Sequence, residues 1–160
     1  MKKFNLLIFL TLFFSTLLFT QHAFSTPSIK GVSGLNQLLE QHKGEVVYLD
    51  FWASWCGPCR KSFPWMNAMQ KTYQNKGFTV IAINLDAEKA LAVEFLQQNP
   101  ALFSVVYDPD GETAKKYKIK GMPSSYLIDR NGKIVSAHSG FFTAKIKHYE
   151  NEIKQTIEIY

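Results

Sequence analysis

The chain predicts an α/β fold in which one mixed β-sheet carries helices on both faces. Two observations predict it. Apolar runs rich in β-branched residues, 46–53 and 78–84, alternate with stretches whose apolar residues recur at helical spacing. The C-terminal third then changes to two short strands around an Asn-Gly turn and a last helix. The order βαβα, hairpin, helix gives a single sheet with parallel and antiparallel parts.

Leu35, Leu38 and Leu39 mark a short amphipathic helix that ends near Gly44. Residues 46–53 are apolar except for Asp50, as expected of a central strand covered on both faces. Phe63, Met66, Met69 and Tyr73 then repeat at helical spacing, and Gly77 stops that helix. Residues 78–84 read as a second buried strand. Residues 87–98 read as a helix with Leu91, Phe95 and Leu96 on its apolar side, broken at Asn99-Pro100. A short strand over 103–107 closes in the turn Asp108-Pro109-Asp110-Gly111, and 112–117 allow one or two helical turns. Strands over 124–128 and 133–137 are joined by Asp129-Arg130-Asn131-Gly132, where both turn residues of Asn-Gly tolerate positive φ. Ile146, Tyr149, Ile153 and Ile157 stripe the last helix, with Thr143 as its expected N-cap.

Lys2 and Lys3 precede an uncharged, mostly apolar run over 4–19, and Ala23 and Ser25 offer small residues at cleavage-site spacing. This is the layout of a secretory signal over 1–25. A retained membrane anchor is the alternative, although the run falls somewhat short of the roughly 20 residues that span a bilayer. On either reading the folded part, 26–160, lies outside the cytoplasm, in a periplasmic or equivalent compartment. About 135 residues are enough for one domain with a real core. The net charge of +5 falls to about +3 without Lys2 and Lys3. The basic cluster over 115–120 is too short for a nucleic-acid site and reads as a solvated helix end. A monomer is expected.

Cys56 and Cys59 are the only cysteines and are separated by Gly57-Pro58. A C-x-x-C between an apolar strand and a helical stretch reads as a redox dithiol. The loop it closes is too small for much stabilisation by chain entropy. Half of a zinc site is the alternative, but zinc takes about four ligands, and His42, His138 and His148 show no ligand spacing. No metal and no cofactor is expected. A cysteine at a helix start gains from the helix dipole and from free backbone N–H groups, which favour the attacking thiolate. Cys56 is therefore expected to be the exposed nucleophile, and Cys59, one turn in, the buried resolving thiol. An acid within an apolar strand costs several kcal/mol if buried charged and unpaired, so Asp50 is expected to shift its pKa or find a partner.

The segment Leu49-Asp50-Phe51-Trp52-Ala53-Ser54-Trp55-Cys56-Gly57-Pro58-Cys59-Arg60 resembles the thioredoxin active-site segment. Pro64, five residues after Cys59, matches a proline of the active-site helix. Pro123 matches the superfamily's cis-proline, and Gly140 a glycine in the groove beside the disulfide. The longer stretch over 84–108, together with Gly121-Met122-Pro123-Ser124-Ser125-Tyr126, resembles the extracytoplasmic TlpA-like thiol-disulfide oxidoreductases. The resemblance implies a thioredoxin fold over 26–160 with a helix–strand insertion. It implies that Asp50 serves as base for Cys59, and that Met122, Pro123 and Gly140 border the groove for a bound peptide. Trp55 is read as an apolar rim, Trp52 and Trp65 as core, and His138 as an ordinary strand histidine. The lysine that thioredoxin places beside its aspartate is replaced by Ala82.

The Gly-Pro pair resembles that of thioredoxin, a reductant, rather than that of a strong oxidant. The resemblance therefore implies a protein-disulfide reductase. Its electron donor would be a membrane protein of DsbD/CcdA type, and its clients cysteine-containing proteins such as apocytochrome c or oxidase-assembly proteins. Pro123-Ser124-Ser125 departs from the Pro-Glu-Thr of the cytochrome-c-maturation members. A dithiol oxidant or isomerase, or a copper-delivery module of the same fold, are the rival classes; the two-residue cysteine spacing speaks against the last.

Overall fold

The computed structural model describes residues 30–159. In chain order it forms α1 (Gly31–Gln41), β1 (Val46–Trp52), α2 (Gly57–Tyr73), β2 (Phe78–Asn84), α3 (Lys89–Gln98), β3 (Ser104–Tyr107), α4 (Glu112–Lys116), β4 (Ser124–Ile128), β5 (Ile134–Ser139) and α5 (Ile146–Ile159). The sheet order is β3-β2-β1-β4-β5; the first three strands are parallel, and β4 and β5 are antiparallel to their neighbours. The mixed sheet expected from the sequence is therefore present, with helices on both faces. The secretory signal or anchor over 1–25 lies outside the described residues. Among the described residues no helix is long and apolar enough to cross a membrane.

Alternation along β1 separates two cores, because successive strand residues point to opposite faces. Val47, Leu49 and Phe51 join Leu35 and Leu38 of α1 and Ile81, Ile83 and Val106, with Ala114 and Tyr117 packed alongside. Val46, Tyr48 and Trp52 pack with Phe63, Trp65 and Met66 of α2, Phe95 of α3 and Tyr149 and Ile153 of α5. The second core is strongly aromatic: the Trp52 ring lies 4.6 Å from Phe63 and 5.2 Å from Phe95. The first of these is edge-to-face and the second tilted, and aromatic contacts of this kind add to burial itself.

At one end of the sheet Gly77 closes the turn after α2 at φ +72, a left-handed conformation with no Cβ penalty for glycine. A Cβ there would also stand 2.5 Å from Arg130 Nη1. That guanidinium donates to the carbonyls of Gly44 and Lys76, tying the β4–β5 turn to both loops.

Several sequence expectations are corrected. The α3 helix starts at Lys89 rather than at 87, and it buries Ala92 and Phe95 while Leu91 is 44 % exposed. Strand β3 begins at Ser104, and β5 runs on to Ser139. In the β4–β5 turn Gly132 takes positive φ and Asn131 does not; the Asp129 carboxylate instead accepts the N–H groups of Asn131 and Lys133. Thr143 does not cap α5, because a 3-10 turn over Thr143–Lys145 leads into that helix.

Candidate active site

The redox pair sits where β1 hands over to α2. Cys56 is the N-cap of α2, Pro58 lies in the first turn, and no acidic residue shares that turn. Proline suits this place because its missing N–H has no helical partner to lose. Cys56 and Cys59 form a disulfide with Cα atoms 5.2 Å apart. The Cys59 N–H donates to Cys56 Sγ at 3.3 Å, so one of the free amides of the helix end is aimed at that sulfur. Positive potential at the helix N-terminus favours a thiolate over a thiol. The expectation of an exposed Cys56 is corrected: in the disulfide it is only 5 % exposed, and Cys59 is fully buried. Sγ of Cys56 turns inward to its bonded partner and the Cys59 amide, and both cysteines join the aromatic core.

Asp50 lies in the middle of β1 and is 2 % exposed. Burial pushes its carboxyl well above the usual carboxylate range. Among the described residues its Oδ2 meets no hydrogen-bond donor. Its neighbour on β2 is Ala82 and its neighbour on β4 is Ser125, so no cation flanks it within the sheet. Alternation with Tyr48 and Trp52 places Asp50 on the face covered by α2.

The Met122–Pro123 peptide is cis. Pairing of Phe51 with Ser124 sets Pro123 beside Trp52, at the end of β1 from which the cysteine loop departs. Met122 is half-buried against the core that contains both cysteines, and Pro123 is buried. The Gly140 N–H donates to the Pro123 carbonyl at 2.7 Å. Gly140 has φ +83, and a Cβ there would stand 3.1 Å from the Phe142 ring, so backbone and ring approach where only glycine fits. Trp55 is 68 % exposed beside Cys56. It borders a cavity of about 240 Å³ lined also by Arg60, Leu91, Glu94 and Phe95. A larger cavity of about 660 Å³ lies at the opposite end of β1, near Gly44 and Arg130.

Sequence reasoning missed Asp86. It is buried, and its carboxylate accepts the N–H and the hydroxyl of Ser54, both at 2.9 Å, and the Asn84 side-chain amide at 2.7 Å. The Ser54 carbonyl in turn accepts Arg60 Nη1 at 3.4 Å, and that guanidinium lies 5.2 Å from the Phe95 ring centre. This clasp fixes the loop two residues before Cys56. The signal for it was an Asn-x-Asp at the end of a strand, a pattern whose side chains bond nearby backbone.

The histidines are less scattered than the sequence suggested. His138 and His148 have ring centres 6.1 Å apart, and His138 Nε2 lies 2.8 Å from Glu152 Oε2. Among the described residues no group of three or more His, Cys, Asp or Glu is arranged to hold a metal ion.

The Redoxin family model matches residues 24–153. Thiol-disulfide oxidoreductase ResA of Bacillus subtilis (strain 168) is 32% identical over 127 residues, which cover 79% of this chain and 71% of that protein. ResA of Bacillus thuringiensis subsp. konkukian is 37% identical over 102 residues, 64% of this chain and 59% of that protein. The chain thus spans 59% of the length of the first curated relatives it matches. Among solved structures, a Chlorobium tepidum protein provisionally assigned as thiol:disulfide interchange protein DsbE is 55% identical with a TM-score of 0.73, over 74% of this chain and 84% of that one. StoA from Bacillus subtilis is 28% identical with a TM-score of 0.60, over 68% and 82% of the two chains. The dithiol at the head of α2, the cis-proline loop beside it and these likenesses converge: the chain belongs to the Redoxin family, with the thioredoxin fold of the TlpA-like thiol-disulfide oxidoreductases.

Proposed function

We propose that the chain is an extracytoplasmic thiol-disulfide oxidoreductase that reduces disulfides in client proteins. The carrying observation is a disulfide at a helix N-terminus whose first turn holds no acidic residue, on the sheet face that holds an acid with one oxygen unpaired. Similarity to the thiol-disulfide oxidoreductases ResA supports the reaction class. In the reduced protein the Cys56 thiolate attacks a client disulfide, forming a mixed disulfide and releasing one client thiolate, which takes a proton from water. Asp50 as carboxylate takes the Cys59 proton; the Cys59 thiolate then attacks the Cys56 sulfur, expelling the second client thiolate. Two electrons pass to the client, and the Cys56–Cys59 disulfide is left for a membrane donor of DsbD/CcdA type to reduce.

Trp55, Met122, Pro123 and Gly140 form the client-facing border in this reading. Backbone groups at the cis-proline loop pair with an extended client segment in the manner of strand addition. Clients are cysteine-bearing proteins such as apocytochrome c or oxidase-assembly proteins, the chain acts as a monomer, and residues 1–25 deliver it across the membrane. Two measurements test this. The potential against glutathione is expected near about −270 mV, as for thioredoxin; a value near about −120 mV would instead make the chain an oxidant. A Cys59→Ser variant expressed in the native envelope should retain clients as mixed disulfides on Cys56; recovery of none would end the reductase assignment.

A further inference from the structure

Two of the exposed large apolar side chains meet at one place. Trp55 is 68 % exposed and Leu91 44 %. A single exposed apolar residue is ordinary on any protein surface. These two line the same concavity, the cavity of about 240 Å³ that Arg60, Glu94 and Phe95 complete. Cavities that take a whole small ligand run to about 300–1,000 Å³, so this one has room for a single large side chain.

Both walls are held from behind. Leu91, Glu94 and Phe95 follow helical spacing, so they share a face of α3. Phe95 roots that face in the aromatic core, its ring 4.9 Å from Phe63 and 5.2 Å from Trp52. Beyond α3 the Asn67 side chain of α2 donates to the Pro100 carbonyl at 2.9 Å and accepts the Leu102 N–H at 2.8 Å, which fixes the helix end. On the other side, the Asp86 clasp holds Ser54, the residue before Trp55. The cavity is therefore formed before any client arrives, and filling it costs little ordering of the protein.

The place of the cavity says what fills it. Trp55 is the residue before Cys56, and the Arg60 N–H donates to the Cys56 carbonyl at 3.0 Å, one helical turn on. A client in mixed disulfide with Cys56 is held covalently at that sulfur. An extended chain advances about 3.3–3.6 Å per residue, so the client residues next to its cysteine are the ones in reach. We propose that the cavity is a specificity pocket for an aromatic side chain flanking the client's reacting cysteine, with Leu91 as the residue that sets the preference. The inference rests on the reductase reading proposed above. An aromatic ring suits the walls. Trp55 offers a flat apolar face, Leu91 an aliphatic one, and the Arg60 guanidinium, already 5.2 Å from the Phe95 ring centre, a planar cation.

The test follows the reduced protein as it cleaves symmetric disulfides of short peptides, in which each cysteine is flanked on both sides by phenylalanine, serine or glutamate. Each turnover oxidises Cys56 and Cys59 to their disulfide and converts one peptide disulfide to two peptide thiols, counted by chromatography after acid quenching. The second-order rate constant should be about tenfold higher with phenylalanine than with serine, the low end for burying such a ring. Leu91→Ser should cut that ratio to about threefold or less, because the ring then loses one apolar wall, and Leu91→Met should keep it. Val93→Ser, at another exposed apolar residue of α3 outside the cavity, should also keep it. Equal wild-type rates with the phenylalanine and serine peptides overturn the pocket, as does a ratio that Leu91→Ser leaves intact or that Val93→Ser lowers as much. Fastest cleavage of the glutamate peptide would mean that Arg60 reads an acid there, and it too overturns the proposal. If 2-hydroxyethyl disulfide and every peptide resist cleavage, the reductase reading fails and the pocket with it. If 2-hydroxyethyl disulfide is cleaved and the peptides are not told apart, that reading stands and the pocket alone falls.

Discussion

Asp50 and Asp86 are both almost fully enclosed, one under and one ahead of the loop that carries Cys56, yet their oxygens meet different surroundings. Asp86 accepts three hydrogen bonds from Ser54 and Asn84, whereas Asp50 leaves Oδ2 without a donor. Position in the sheet explains the difference. In mid-strand the nearby backbone N–H groups are committed to the ladder with β2 and β4, so a side chain there finds none free. Past the strand end the Ser54 N–H has no ladder partner, and a carboxylate can capture it. A carboxylate rich in donors organises structure. One stripped of them is driven by desolvation toward its neutral form.

The sharpest break of this comparison is Asp50→Asn. It should slow resolution by Cys59 about a hundredfold or more, the scale of a lost general base, read as the second of the two coloured thiolates that the reduced protein releases from 5,5′-dithiobis(2-nitrobenzoate). The same substitution should flatten the pH dependence of stability. A raised pKa in the folded state means that the native protein binds more protons than the unfolded one above pH 3.8, so stability falls as pH rises through that window toward the folded pKa. Urea unfolding of wild type across this range should show the fall and Asp50→Asn should lack it; parallel curves would mean that Asp50 is not desolvated as described.

Asp86→Ala acts on the other member of the pair and should act differently. It strands the Ser54 amide and the Asn84 side-chain amide, so it should destabilise by about 2–4 kcal/mol, a sum of unsatisfied-donor costs. The pH profile of resolution should keep its wild-type shape. If instead Asp86→Ala moved that profile and Asp50→Asn did not, the structural and chemical acids would have to be exchanged.

This contrast also marks what the sequence made legible. Asp50 stood out because an acid in an apolar strand violates a local pattern, and Cys56 and Cys59 because their spacing is local too. The order of strands and helices followed from periodicity and from the Asn-Gly turn. Asp86 was overlooked because Asn-x-Asp marks only its own strand end, while its partner Ser54 is 32 residues away and only the pairing of Trp52 with Asn84 brings them together. His138 and His148 likewise meet only when α5 packs on β5. Leu91 was misplaced because α3 packs inward through Ala92 and Phe95, which turns Leu91 away from the sheet. The burial of Cys56 depends on its bond to Cys59 and its place in a core assembled from β1, β2, β4, α2, α3 and α5, which spacing does not encode.

Trp55 offers the smallest effect on stability and a finer test of what holds the loop. It projects from the same loop as Ser54 and is 68 % exposed, so it buries little apolar surface in the free protein. If the Asp86 clasp sets the loop from inside, Trp55→Ala should change stability by no more than about 0.5 kcal/mol, as for surface substitutions generally. Its effect should fall on clients, because a flat apolar ring beside the attacking sulfur is buried only when a protein docks. The Michaelis constant for a protein disulfide should rise severalfold, while the rate with a small aromatic disulfide stays near wild type. Destabilisation by Trp55→Ala on the scale of Asp86→Ala would show that the loop is held from its solvent side, and the division between the two buried acids would lose its structural half.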